Sequence, residues 1–182
     1  METDLNKLRD RAYKCAIEHG FHDKEYSDAH WLMLVITEIS EAVEADRKGK
    51  YAIESEFMPN IYSRKISDDC FKSCYEQLIK GSVEEELSDV AIRLLDFAGV
   101  KKVTFNRIIM AYVISPDKSF TENMYAIIKD IVNYKYSDEE LINYAIHQVI
   151  RVAEFYNINL FQHIEWKMKY NELREYKNGK NY

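Results

Sequence analysis

Four glycines divide this chain into long stretches with helical periodicity, and that spacing constrains the fold more than any other feature. Leu5, Leu8, Ala12, Cys15 and Ala16 fall on one side of a helix over about residues 3–19, with Gly20 as its stop. The polar segment GFHDKEYS (20–27) follows. Ser27 or Asp28 can then cap a second helix that runs to about Lys48, before Gly49. A further pattern starts at Ser67, carries Cys70, Phe71, Cys74, Tyr75, Leu78 and Ile79 along one side, and ends at Gly81. Next, Ser82-Val83-Glu84-Glu85 has the form of a capping box, opening a helix from 83 to about 98 that Gly99 closes. With five Gly and two Pro in 182 residues, the chain has few turns for short strands.

The remainder reads in the same way. Tyr51 to about Lys65, with Pro59 inside it, is the least regular region and is expected to be a loop or short helical insertion. TFNRIIMAYVI (104–114) suits a strand or a short helix. No partner strand is in sight, so helix is the expectation, broken by Pro116. Ser119 caps a helix to about Tyr134, and Ser137-Asp138-Glu139-Glu140 is a second capping box for a helix to about Tyr156. Asn159, with Gln162 at N3, opens a last helix to about Tyr176. The sum is an all-α helical bundle of six to eight helices, one domain over 1–182 with an insertion around 51–80.

Composition narrows the function classes. A hydrophobic share of 47% argues against disorder, and a formal charge of −6 argues against a general nucleic-acid surface. Cys15, Cys70 and Cys74 cannot all pair within the chain; Cys70 and Cys74 are four apart on one helix face, and no further Cys or His stands near them at ligand spacing to complete a metal site. No apolar run approaches membrane-spanning length, and METDLNKLRDR does not read as a signal peptide. A soluble, cytoplasmic protein with reduced thiols is expected.

Two acid pairs stand out within the helical pattern. Glu38-Ile39-Ser40-Glu41 and Glu86-Leu87-Ser88-Asp89 each set two carboxylates three residues apart, on one helix face. On the helix over 28–48, Trp31, Leu32, Leu34, Val35, Ile39, Ala42, Val43 and Ala45 form a broad apolar arc. Glu38 falls inside that arc and Glu41 at its edge. A carboxylate on the core side is costly unless it is paired or metal-bound. Oxygen-only ligands suit Mg²⁺ or Mn²⁺, so Glu38, Glu41, Glu86 and Asp89 are the candidate metal-binding and catalytic residues. Arg93 is expected to pair with Asp89 or Glu86, and Asp96 is a candidate extra acid. Glu44, Glu84 and Glu85 read as surplus surface acids. Trp31 lies on the apolar arc and reads as core, whereas His30 is a secondary candidate for a base contact. His19, His22, His147 and His163 share no ligand spacing. Tyr125, Tyr134, Tyr136, Tyr144 and Tyr156 are expected in helix packing and an interface.

Near the C-terminus, Lys167, Asn171 and Arg174 follow an i, i+4, i+7 stripe, and Lys177 and Lys180 extend the positive charge. Lys and Arg bind phosphate, and Asn can hydrogen-bond a phosphate or a base edge. A solvated helix face would show the same stripe; beside a carboxylate cluster it supplies cations for an anionic substrate.

Taken in order, LVITEISEAVEADRKG, EEELSDVAIRLLDFAG and WKMKYNELREYKNGKNY resemble the two motif helices and the Lys-x-x-x-Asn-x-x-Arg ending of the MazG-like, all-α nucleoside triphosphate pyrophosphohydrolases. These segments cover about a quarter of the chain. The stretch between the motifs, 42–85, and the helices over 104–157 are longer than that family's pattern. The resemblance implies cleavage of a (d)NTP between its α and β phosphates, giving (d)NMP and pyrophosphate. It implies Mg²⁺ held by Glu38, Glu41, Glu86 and Asp89, contacts to substrate from Lys167, Asn171 and Arg174, and a homodimer. The alternative from another class is a catalytically inactive helical nucleotide-binding or interaction module. A helical di-metal oxidase would need Glu-x-x-His pairs, and neither acid pair has a His at i+3.

Overall fold

Side-chain caps fix most of the helix starts. In the computed structural model of the chain, which describes residues 4–62, 66–106 and 114–176, Asp4 accepts from the Asn6 and Lys7 amides at the head of α1 (Leu5–Glu18). Helix α2 (Asp28–Arg47) begins after Ser27. The 51–80 region forms two helices, α3 (Glu54–Tyr62), which contains Pro59, and α4 (Asp68–Leu78), capped by Ser67. Helices α5 (Val83–Lys101), α6 (Phe120–Asn133), α7 (Asp138–Phe155) and α8 (Leu160–Glu172) complete the order. The described residues therefore form an all-α bundle of eight helices with no strand. The reciprocal capping box occurs at Ser119, whose hydroxyl accepts from the Glu122 amide while Glu122 accepts from the Ser119 amide. At Ser82 the box is half made. Ser82 Oγ accepts from the Glu85 amide at 3.2 Å, but the Glu85 carboxylate turns inward to other donors.

Helix α5 is the axis of the fold, with α1, α2, α7 and α8 all packed on it. Thirteen of its 19 residues are buried, more than one apolar face of a helix would account for. Val35, Ile39 and Ala42 of α2 join Leu87, Val90 and Leu94 of α5 in the main core. Gly99 does not stop α5, which continues to Lys101. A Cβ at Gly99 would come within 2.5 Å of the Tyr13 side chain, so this glycine allows the close approach of α1. Gly20 does act as a stop, with φ of 76° just past the end of α1.

The 51–80 segment packs outward from that axis. Phe57, Phe71, Tyr75 and Ile79 form a second, aromatic core with Trp166 and Tyr170 of α8. The Phe57 ring meets Trp166 edge-on with centroids 4.8 Å apart, and Tyr75 stacks on Tyr170 at 4.5 Å. Each such aromatic pair contributes about 0.5–1.5 kcal/mol beyond its buried area. His163 Nε2 lies 2.9 Å from Glu54 Oε1, and Glu84, expected at the surface, is buried and accepts from the Ala52 amide at 2.8 Å. These contacts tie α3 to α8 and the segment before α3 to α5.

Other expectations are corrected at the edges. Helix α8 ends at Glu172 rather than near Tyr176, so Arg174 lies beyond it. Residues 107–113, most of the expected helix over 104–114, lie outside the described residues, as do Lys177 and Lys180. Trp31 is buried with Phe97 and Ile142, as its place on the apolar arc suggested. Tyr134 stacks on Tyr144, and Tyr156 packs edge-on to Phe120, whereas Tyr125 and Tyr136 are exposed. Among the described residues no helix is long and apolar enough to cross a membrane.

Candidate functional site

Packing α2 on α5 brings the two acid pairs together. One carboxylate oxygen from each of Glu38, Glu41 and Glu86 lies within 4.8 Å of the others. Glu38 and Glu86 are buried and Glu41 is exposed, as the helical projection of α2 anticipates for its two members. Asp89 is outside this trio. Its Oδ2 is 2.6 Å from Lys167 Nζ, one of the cations expected to face substrate. Lys167 Nζ is also 2.5 Å from Glu85 Oε1. Lys167 is thus buried between two carboxylates, not displayed on a solvated stripe.

A cavity of about 300 Å³ joins these groups, and Glu38, Glu41, Glu86, Asp89, Lys167, Asn171 and Arg174 all line it. Its remaining wall is partly apolar, with Ala12 and Ala16 of α1, Phe21 from the loop after α1, Ile92 and Met168. Asn171 sits in the last turn of α8 with its Oδ1 buried and without a hydrogen-bond partner among the described residues. The Arg174 guanidinium lies 5.7 Å from the centre of the Tyr170 ring.

The electrostatics distinguish the acids. Arg93 pairs with Glu38 at 3.0 Å, not with Asp89 or Glu86 as expected. Glu41 and Glu86 make no ion pair among the described residues. Burial first, then the neighbouring charges of Asp89 and Glu85, push the Glu86 carboxyl up to about 8, although Lys167 pulls the other way. Glu38 is also raised, by burial and by Asp89, with Arg93 opposing. Burial works to lower the pKa values of Arg93 and Lys167, but the surrounding carboxylates outweigh it and both cations are held more firmly charged. Asp96 lines the cavity, but its Oδ1 is 2.8 Å from His22 Nε2, so this acid is paired away from the cluster and His22 has a role its sequence context did not suggest.

No model of a protein family, no curated protein and no solved structure matches this chain.

The donor set nevertheless fits a hard divalent cation. Its three converging ligands are carboxylate oxygens, from side chains too close to be comfortable ionised together in a half-buried cavity. Cys15 lines the same cavity, with its thiol pushed up to about 11 by burial, but it is not among the converging ligand atoms. Several lining residues have no functional signal in the sequence, among them Ile92, Met168, Glu85, Lys80 and Phe21. Glu85 looked committed to a capping box, Lys80 sits in the turn after α4, and Phe21 belongs to a polar loop. The segment GFHDKEYS holds a second aromatic, Tyr26, so ring character alone does not single out Phe21. His30, by contrast, stacks on Tyr26 with ring centres 4.0 Å apart and does not line the cavity.

Proposed function

We propose that the chain is a divalent-metal-dependent, MazG-like nucleoside triphosphate pyrophosphohydrolase, cleaving (d)NTP to (d)NMP and pyrophosphate. The observation that carries this reading is the single cavity lined by all seven residues singled out from the sequence. Glu38, Glu41 and Glu86 would hold Mg²⁺ or Mn²⁺. Bound there, such an ion supplies neutralisation of phosphate charge and a more acidic water. Glu41, the exposed member, is the carboxylate that water reaches first and can accept a proton on a carboxylate oxygen. Lys80 and Arg174 meet the outer phosphates, and the Asn171 Oδ1, unpartnered among the described residues, takes a hydrogen bond from the ligand. The apolar wall of Ala12, Ala16, Ile92 and Met168, with the Phe21 ring, suits the nucleoside rather than the phosphates. Clearance of non-standard nucleotides is the role such chemistry serves, and a homodimer is the assembly the resemblance implies.

One observation favours the second reading, a nucleotide-binding module without catalysis. Lys167, the basic residue nearest the acids, is already engaged by Glu85 and Asp89. Product analysis separates the two. A panel of canonical and modified NTPs and dNTPs is incubated with Mg²⁺, Mn²⁺ or EDTA. Monophosphate plus pyrophosphate, lost in EDTA, supports the enzyme. Diphosphate plus orthophosphate overturns the α–β cleavage. Metal-dependent binding without turnover moves the protein to the binding module.

A further inference from the structure

Phosphate-transfer sites often hold two divalent ions about 3.5–4 Å apart, bridged by shared carboxylates. In this cavity a side chain stands beside Asp89 instead. Lys167 is only 6% exposed, and its ammonium lies 2.5 Å from Glu85 and 2.6 Å from Asp89. Glu85 is 2% exposed and is fixed from three directions, by the Gly81 amide, by the Tyr75 hydroxyl at 3.2 Å and by Lys167. It therefore cannot turn to join the Glu38, Glu41 and Glu86 trio without leaving three donors. Tyr75 comes from α4, so the insertion itself helps to fix the lysine's partner.

We propose that the Lys167 ammonium is a built-in counter-ion that stands in for a second divalent cation, so that the nucleotide-free protein binds one such ion, through Glu38, Glu41 and Glu86. The inference rests on the metal reading above and sets its stoichiometry. Charge supports it. Glu38, Glu41, Glu85, Glu86 and Asp89 face two fixed cations, Arg93 and Lys167. One divalent ion takes the net charge of that group from −3 to −1, and a second would reverse it to +1 in a cavity whose wall already carries Lys80 and Arg174. Without the lysine, Asp89 and Glu85 lose their shared cation, and a second divalent ion becomes the nearest remedy.

The test is a Mn²⁺ titration of the full, nucleotide-free chain, followed by electron paramagnetic resonance of the free ion. Wild type and K167R are expected to bind about one ion per chain, and K167M about two. Helical content by circular dichroism shows whether K167M is folded. If it is not, K167Q, whose neutral amide can still donate to Glu85 and Asp89, carries the same comparison. Two ions in wild type, or one in the folded lysine-free variant, overturns the counter-ion role while leaving the metal reading intact. No ion bound by wild type overturns the metal reading and this inference with it.

Discussion

The carboxylate side of the cavity, on α2 and α5, and its basic side, on α8, both begin as charged residues at helical spacing, but they meet different surroundings. On α5, Glu86 faces the cavity with no cation in contact among the described residues, and its carboxyl is pushed up to about 8. On α8, Lys167 points at the same cavity and is buried against Glu85 and Asp89. Spacing alone shows which side chains share a face. Whether that face is solvated depends on what packs over it, and here α3, α4 and α5 cover α8. Glu41 and Glu86 face the cavity without an ion pair among the described residues, whereas the nearest base is an internal structural partner.

The largest effect separates Lys167 from its neighbour on the stripe. Removing one partner of a buried ion pair costs about 3–5 kcal/mol, because an uncompensated charge remains. K167M should lose that much in urea unfolding. R174A, beyond the end of α8, should change stability by no more than about 0.5 kcal/mol and act instead on KM for nucleotide. Equal stability losses in the two variants would mean that the basic side is one uniform face after all.

The acids should behave in the opposite way, sensitive in activity rather than in folding. If Glu86 holds the proposed metal, its loss removes several kcal/mol from the transition state, so E86Q should lower kcat/KM by roughly 10²–10³-fold. Its stability should not fall, since the substitution removes a carboxylate that is costly to ionise. E38Q should lose similar activity but also some stability, because Arg93 is left without its 3.0 Å partner. Near-wild-type turnover in both variants would remove the α2 and α5 pairs from the chemistry.

Proton linkage sharpens the same contrast. The folded state holds the Glu86 proton more tightly than an unfolded chain does, where a glutamate titrates near 4.5. That contribution to stability is complete below about 4.5 and is lost as pH rises through about 8. In EDTA, wild type should therefore melt at a lower temperature at pH 8.5 than at pH 5.5, relative to E86Q, and Mg²⁺ should recover more at the higher pH. An identical pH dependence for wild type and E86Q would show that the carboxyl is not strained by its neighbours.

Much of the fold was open to sequence reasoning because its signals are local. Ser67, Ser82, Ser119, Ser137 and Asn159 each accept from an amide three residues on, and the helices begin where these caps put them. Glu38 was legible from its place on the apolar arc of α2. The pairing of Arg93 with Glu38, and the burial of Glu84, Glu85 and Lys167, were not. These depend on contacts 55, 32 and 82 residues apart in the chain, which periodicity does not encode. Glu85 is the instructive case, since its sequence context predicts a local cap and only the crowding of α5 by its neighbours turns it inward.

The smallest effect tests how far the 51–80 segment reaches into the site. Tyr75 sits in the aromatic core of α3, α4 and α8, and its hydroxyl donates to Glu85 at 3.2 Å. Burial, together with the Glu85 charge, holds the phenol well above its ordinary value, so the hydroxyl stays a donor at any working pH. Y75F keeps the stack on Tyr170 and deletes one bond to a buried carboxylate, a loss of about 1.5 kcal/mol. The Gly81 amide and Lys167 still hold Glu85, so the variant should fold, with a lower urea midpoint and an unchanged slope. If Y75F matches wild type, Glu85 is held by its own helix end and Lys167 alone, and the insertion supports α8 only through its rings. If the midpoint falls as expected, the segment that looked like an addition between two motifs is part of what keeps the basic side closed, while the acidic side stays open to the cavity.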